Sequence, residues 1–178
     1  MLDSLITSKT RIKLLTRLFL NSNTHGHLRG LETEFGESSN AIRLELNRFE
    51  KAGLLTSESQ RNRKVYAANT LHPLFPEINS LLHKHLGLDQ LVEHVIERLG
   101  EVEEVYLTGA FARGQNSTDI EMLLIGGNVN IEFLDRLIEK STKLFKHNIK
   151  YHLMTSGQFV ELANSSSRDN LLLLWKRN

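Results

Sequence analysis

Residues 106 to 125, Tyr-Leu-Thr-Gly-Ala-Phe-Ala-Arg-Gly-Gln-Asn-Ser-Thr-Asp-Ile-Glu-Met-Leu-Leu-Ile, constrain the fold more than any other stretch of this chain. An apolar strand (Val105 to Leu107) runs into a glycine-containing turn, and a second apolar strand (Ile120 to Ile125) follows. Asp119 and Glu121 open that second strand two positions apart. Alternate residues of a strand share a face, so the two carboxylates stand side by side. Adjacent oxygen ligands beside a glycine turn suit a hard divalent cation and a phosphate. The pattern continues as helix (Ile131 to Phe145) and strand (Ile149 to Met154), then two helices, one after Ser156 and one from about Asp169. Strands alternating with helices predict a small mixed α/β unit over 101–178. The run Leu171 to Trp175 reads as a buried helix or a partner surface.

The first seventy residues follow a different rule. Ile6, Ile12, Leu15, Leu18 and Phe19 have helical spacing, with Thr7 or Ser8 as N-cap and Asn21-Ser22-Asn23 as the stop. The pair His25-Gly26-His27 reads as a loop. A second helix spans about His27 to Phe35 and ends at Gly36. Ser38 or Ser39 caps a third, which places Ile42, Leu46 and Phe49 on one face and ends at Gly53. A β-hairpin follows, with arms Leu54 to Glu58 and Val65 to Ala68, and Arg61, Arg63 and Lys64 at its tip. Residues 71–100 read as linker helix, interrupted at Gly87 and restarted at Asp89. Its apolar stripe, which includes Leu74, Val95 and Leu99, predicts a surface that packs the halves together or pairs with a second subunit. The expected class is α+β, with units at 1–70, 71–100 and 101–178.

Charge divides along the same boundary. Residues 1–70 carry 11 Lys/Arg against 7 Asp/Glu, and residues 71–178 carry 11 against 14. A basic first part joined to an acidic second part points the first part toward a polyanion. There is no cysteine, which removes disulfides, thiolate metal sites and a cysteine nucleophile, and fits a cytoplasmic protein. No apolar stretch approaches the length that spans a bilayer, and no membrane partner is expected.

The run Asn40 to Leu55, Asn-Ala-Ile-Arg-Leu-Glu-Leu-Asn-Arg-Phe-Glu-Lys-Ala-Gly-Leu-Leu, resembles the recognition helix and exit of a winged helix-turn-helix of bacterial repressor type. The resemblance covers about the first seventy residues. It implies a helix whose N-terminal part enters the major groove of double-stranded DNA and presents Ser38, Ser39, Asn40 and Arg43, with Asn47 one turn on. Arginine suits guanine edges and asparagine adenine edges, while serine suits phosphates or either base type. Arg61, Arg63 and Lys64 would lie on the backbone or in the minor groove. Winged-helix repressors of the arsenic and zinc type offer a second comparison, because His83, His94 and Glu97 match part of their metal spacing. Leu81 replaces the required Asp, however, and Gly87 breaks the helix, so these read as structural residues.

The stretch from Gly109 to Glu121 resembles the signature of the nucleotidyltransferase fold, the polymerase-β-like superfamily, written GSxARG and then Asp-x-Asp/Glu. Gly109 matches the glycine, Ala112-Arg113-Gly114 the ARG run, and Asp119 with Glu121 the metal-binding pair. The resemblance implies a turn (Gly109, Ala110, Arg113) that holds an NTP and two carboxylates that hold Mg²⁺ for an in-line displacement. Two positions depart from it. Ala110 stands where a serine hydroxyl would meet phosphate, and the strand 149–154 offers no third carboxylate. The expected function is therefore DNA-binding transcriptional regulation by a homodimer, with a degenerate nucleotidyltransferase-like domain as effector or scaffold. The alternatives are a Mg²⁺-dependent nucleotidyltransferase and a nucleotide sensor.

Overall fold

A computed structural model describes residues 2–94, 99, 101–115, 117–145, 147–165 and 171–177. The α+β class expected from the sequence is observed. The chain divides into two compact units, Met1–His85 and Leu86–Asn178.

The first unit contains α1 (Leu2–Leu5), α2 (Lys9–Phe19), β1 (His25–His27), α3 (Leu28–Phe35), α4 (Ser39–Lys51), β2 (Leu55–Gln60), β3 (Arg63–Ala68) and α5 (Phe75–Leu86). Helices α2, α3 and α4 each begin where a side chain accepts an otherwise unpaired backbone N–H. Ser8 Oγ accepts from Arg11 N at 3.2 Å to start α2, and Ser38 Oγ accepts from Ala41 N at 3.3 Å to start α4. At α3 the acceptor is a histidine, with His27 Nδ1 2.9 Å from Gly30 N. Leu14, Leu18, Phe19, Leu31, Ile42 and Leu46 are buried and pack these helices together, each contributing about 1.5–3 kcal/mol of burial.

Glu45 breaks the apolar pattern of that core. It is 5% exposed, and its carboxylate accepts from Arg11 at 2.9 and 3.2 Å, from Arg48 at 3.1 Å and from the Ser8 hydroxyl at 3.3 Å. Burial alone would raise its pKa. The bonds and charges of Arg11, Arg48 and Ser8 outweigh that, so the carboxyl is held below its ordinary range. One ionised side chain thereby fastens the start of α2 to the middle of α4.

The segment His25-Gly26-His27, expected as a loop, is the strand β1. It pairs antiparallel with β3, His25 opposite Ala67 and His27 opposite Val65, in a sheet of order β1-β3-β2. A three-residue strand has no periodicity to read, and this one exists only through a partner some forty residues away. The hairpin β2–β3 closes between Gln60 and Arg63 through a two-residue turn, Arg61-Asn62, with φ of 43° and 65°. Two successive positive φ values are what a type I′ hairpin turn requires.

Residues 71–100 are shared between the units. Helix α5 lies in the first, where Phe75 stacks on Phe19 at 6.0 Å between ring centroids. Asn79 Nδ2 donates to the carbonyls of Phe19 and Leu20 at 2.8 and 3.0 Å, satisfying the open end of α2. Helix α6 (Leu88–His94) lies in the second unit, beyond Gly87. Val95 and Glu97 fall outside the described residues.

The second unit continues with β4 (Val102–Thr108), α7 (Gly109–Ala112), β5 (Asp119–Gly126), α8 (Ile131–Phe145), β6 (Asn148–Met154), α9 (Ser156–Ser165) and β7 (Leu172–Lys176). The sheet order is β6-β5-β4-β7, with β5 and β6 parallel across α8 and the other pairs antiparallel. β5 is buried on both faces. Leu123 and Ile125 pack with Phe159 of α9, Tyr106 and Met154, while Ile120, Met122 and Leu124 are buried on the opposite side.

The run Leu171 to Trp175, expected as a helix or partner surface, contributes the edge strand β7, with Trp175 opposite Val105 and Leu172 opposite Leu107. Asp169, where that helix was to start, is outside the described residues. Four leucines favour a helix locally, and only an open edge on β4 turns them into a strand. Among the described residues no helix is long and apolar enough to cross a membrane.

Candidate nucleic-acid interface

The start of α3, the middle of α4 and the hairpin tip enclose an open groove of about 610 Å³. Arg29, Arg43, Arg61, Arg63 and Lys64 line it together with His27, Asn47, Asn62 and Tyr66, and among the described residues no carboxylate does. Among the described residues, Arg29, Arg43, Arg61 and Arg63 form no ion pair. Four unneutralised guanidinium groups in one concavity raise the local potential and attract an extended anion.

Lys64 differs from the other four. Its ammonium lies 2.7 Å from Glu50 Oε2 and 5.2 Å from the centre of the Tyr66 ring. The bond to Glu50 raises the lysine pKa, and bonds from Lys64 and Ser57 lower that of Glu50. Ser57 Oγ donates to Glu50 Oε1 at 2.5 Å. Glu50 on α4 is thus bonded to both arms of the hairpin, which sets the tip against the exposed face of that helix.

Of the residues that the sequence singled out for DNA contact, the structure brings Arg43, Asn47, Arg61, Arg63 and Lys64 to one groove. Ser38, Ser39 and Asn40 do not line it. Ser38 uses its hydroxyl to cap α4, and Ser39 and Asn40 form the first turn of that helix. Arg29 and His27 were missed, because their position depends on β1. One local signal was available for Arg29. It sits in the first turn of α3, which carries no acidic residue, and a cation there is opposed by the helix dipole.

Arg61 occupies an unfavourable backbone. A β-carbon-bearing residue in the left-handed region costs about 1–2 kcal/mol, which glycine or asparagine largely avoids. Asn62 suits its φ of 65°, whereas Arg61 at 43° gains no compensating ion pair. Strain at an exposed, charged hairpin tip is of the kind that function maintains.

In the second unit the two carboxylates lie as expected, on one face at the start of β5. Their surroundings differ from those of a metal site. Lys150 of β6 forms an ion pair with Asp119, and Asn148 Nδ2 donates to the same carboxylate at 3.0 Å. Those two bonds, Lys150 first, hold the Asp119 carboxyl below its ordinary range, and Asp119 raises the pKa of Lys150. In the parallel register Lys150 lies opposite Glu121, so the neighbouring strand supplies an ammonium beside the pair.

Glu121 folds over the glycine turn. A β-carbon built on Gly109, whose φ is +65°, would fall 2.8 Å from the Glu121 carboxylate. A phosphate approaching that turn would meet a like charge at close range. Ala110 lies in the four-residue α7, and Arg113 donates to Gln115 Oε1 at 3.2 Å. Among the described residues no group of three or more His, Asp or Glu side chains is placed to hold a metal ion. His83 and His94 lie on α5 and α6, separate helices.

No family model and no curated protein matches the chain. Solved structures resemble it weakly. A toxin–antitoxin structure with AMP-PNP aligns with a TM-score of 0.40 and 14% identity, over 52% of this chain and 76% of that one. A candidate nucleotidyltransferase from Sulfolobus solfataricus gives 0.35 and 24%, over 53% and 82%. TrmBL2, an archaeal chromatin protein with a novel mode of DNA binding, gives 0.26 and 14%, over 88% and 74%. At these values the likenesses decide neither the fold nor the function of this chain.

Proposed function

We propose that the first unit is a winged helix-turn-helix that binds double-stranded DNA, and that the chain is a cytoplasmic transcriptional regulator. The observation that carries this reading is the groove in which Arg29, Arg43, Arg61 and Arg63 stand without counter-charges beside Asn47. Helix α4 enters the major groove, where Arg43 and Asn47 reach base edges, and the hairpin arginines lie on the phosphates. The chain acts as a homodimer on a two-fold site. Leu71 and Leu74, 92% and 53% exposed, support a pairing surface at the start of the 71–100 segment.

The second unit serves as an effector or scaffold domain of nucleotidyltransferase type that neither binds Mg²⁺ and NTP nor transfers nucleotides. The Lys150–Asp119 pair supports this, since a resident ammonium competes with a divalent cation for the same oxygens. Transfer or nucleotide sensing would need those oxygens released.

Fluorescence anisotropy on duplexes tests the proposal. Arg43→Ala should weaken binding and relax base preference, by about 1–3 kcal/mol at the contacted base. Changing Arg61, Arg63 and Lys64 together to Ala should weaken binding on every sequence and flatten its salt dependence. Unchanged affinity in both variants would refute the DNA reading. Calorimetry with Mg²⁺ and each NTP tests the second unit, and metal-dependent binding would overturn the scaffold role.

A further inference from the structure

Ile42, Glu45, Leu46 and Phe49 are the buried side chains of α4 and define its inner side. At about 100° per residue, the line diametrically opposite passes through Asn40, Leu44 and Asn47, all exposed, with Arg43 on the side facing the groove. Leu44 is 50% exposed at the centre of that outer stripe. A single exposed leucine is ordinary on a protein surface. This one stands among polar and cationic neighbours on the face that the DNA reading directs into the major groove.

We infer that Leu44 is a specificity-determining residue that reads the 5-methyl group of a thymine. The inference rests on the DNA-binding reading and names what that site selects. Thymine's methyl is the apolar group that the major groove presents, and an aliphatic side chain on a recognition helix is its complement. The charge around Leu44 selects the occupant. Arg43, its neighbour in sequence, together with Arg61 and Arg63 in the groove that Arg43 lines, favours an anionic partner over a second, equally cationic copy of this unit. Asn47 lies one turn from Arg43 on the same helix, so the preferred half-site places the thymine beside the base pairs those two side chains contact.

The test uses the full chain to select a preferred duplex from a random pool, then replaces each thymine singly by uracil, which removes only the methyl group. At one thymine in each half-site the wild type should lose about three- to fourfold in affinity, the equivalent of one buried methyl. Leu44→Ala should bind the thymine and uracil duplexes equally while keeping the wild-type salt slope. Because Leu44 is exposed, this variant leaves the packing of the unit intact. Wild-type indifference to uracil at every position would overturn the inference and leave DNA binding standing. Retained discrimination in Leu44→Ala would do the same, and if that variant also dissociates a dimer in sedimentation, Leu44 belongs to a subunit contact instead. Selection of no duplex at all would remove the DNA reading and this inference together.

Discussion

Replacing Arg61 by asparagine should separate stability from binding in the first unit. Arg61 holds the first position of a type I′ turn at φ 43° and is exposed at the hairpin tip. It forms no ion pair among the described residues, so its removal deletes no contact that supports the fold. Asparagine adopts the same backbone with less strain, and Arg61→Asn should raise stability by ~0.5–1 kcal/mol. For a unit of this size that corresponds to an increase of about 2–8 °C in its melting temperature.

DNA binding should move the other way. With the free guanidiniums of Arg29, Arg61 and Arg63 on phosphates, the slope of log affinity against log salt is about −2.7 per protomer. Raising salt from 50 to 200 mM then weakens binding ~40-fold in the wild type and ~12-fold in the variant, whose slope falls to about −1.8. Thermal unfolding by circular dichroism and salt titrations by anisotropy read the two quantities. A variant that is both less stable and weaker in binding would show that Arg61 supports the hairpin rather than the DNA. An unchanged salt slope would show that it touches no phosphate.

Glu45→Gln should destabilise the first unit by about 1–3 kcal/mol at pH 7, read by urea unfolding, because Arg11 and Arg48 lose their shared carboxylate. The folded-state pKa of Glu45 lies below its ordinary value of 4.5. Its contribution is therefore complete above that pH and is lost as pH falls through the lower folded value, so wild type and variant should converge in acid below that folded value. A gap that persists in acid would assign the loss to packing. Lys150→Asp should place a third carboxylate beside Asp119 and Glu121 and create Mg²⁺ binding that calorimetry detects, absent from the wild type; Mg²⁺ binding by the wild type would contradict the role given to Lys150. Gly109→Ala should cost the second unit about 1–3 kcal/mol, and adding Glu121→Ala should recover part of it, since the Glu121 carboxylate is what the new methyl strikes. A strictly additive double variant would refute that steric account.

Much of the fold was legible in short-range signals. Ser8, Ser38 and Gly36 delimited helices α2, α4 and α3 because capping is a local hydrogen-bonding rule. The span of α8 and the shared face of Asp119 and Glu121 followed from periodicity. The two errors, at His25 to His27 and at Leu171 to Trp175, are both strands added to the free edge of another strand. Their local sequences are too short or too leucine-rich to announce a strand, and the deciding hydrogen bonds come from Tyr66 and Val105 and their neighbours far along the chain.

The candidate sites divide in the same way. The sequence alone determined which residues carry charge and which motif was incomplete: Arg43, Asn47, Arg61, Arg63 and Lys64 on one side, Ala110 and a strand without a carboxylate on the other. Only the tertiary structure decided how those charges are used. Among the described residues it left Arg43, Arg61 and Arg63 without an ion pair and joined Arg29 to them, while Glu50 tied down Lys64 and Lys150 tied down Asp119. The physical reason is range. Periodicity and capping act within a turn or two of chain, whereas an ion pair depends on distance in space, and strand pairing brings Lys150 to Asp119 across thirty-one residues.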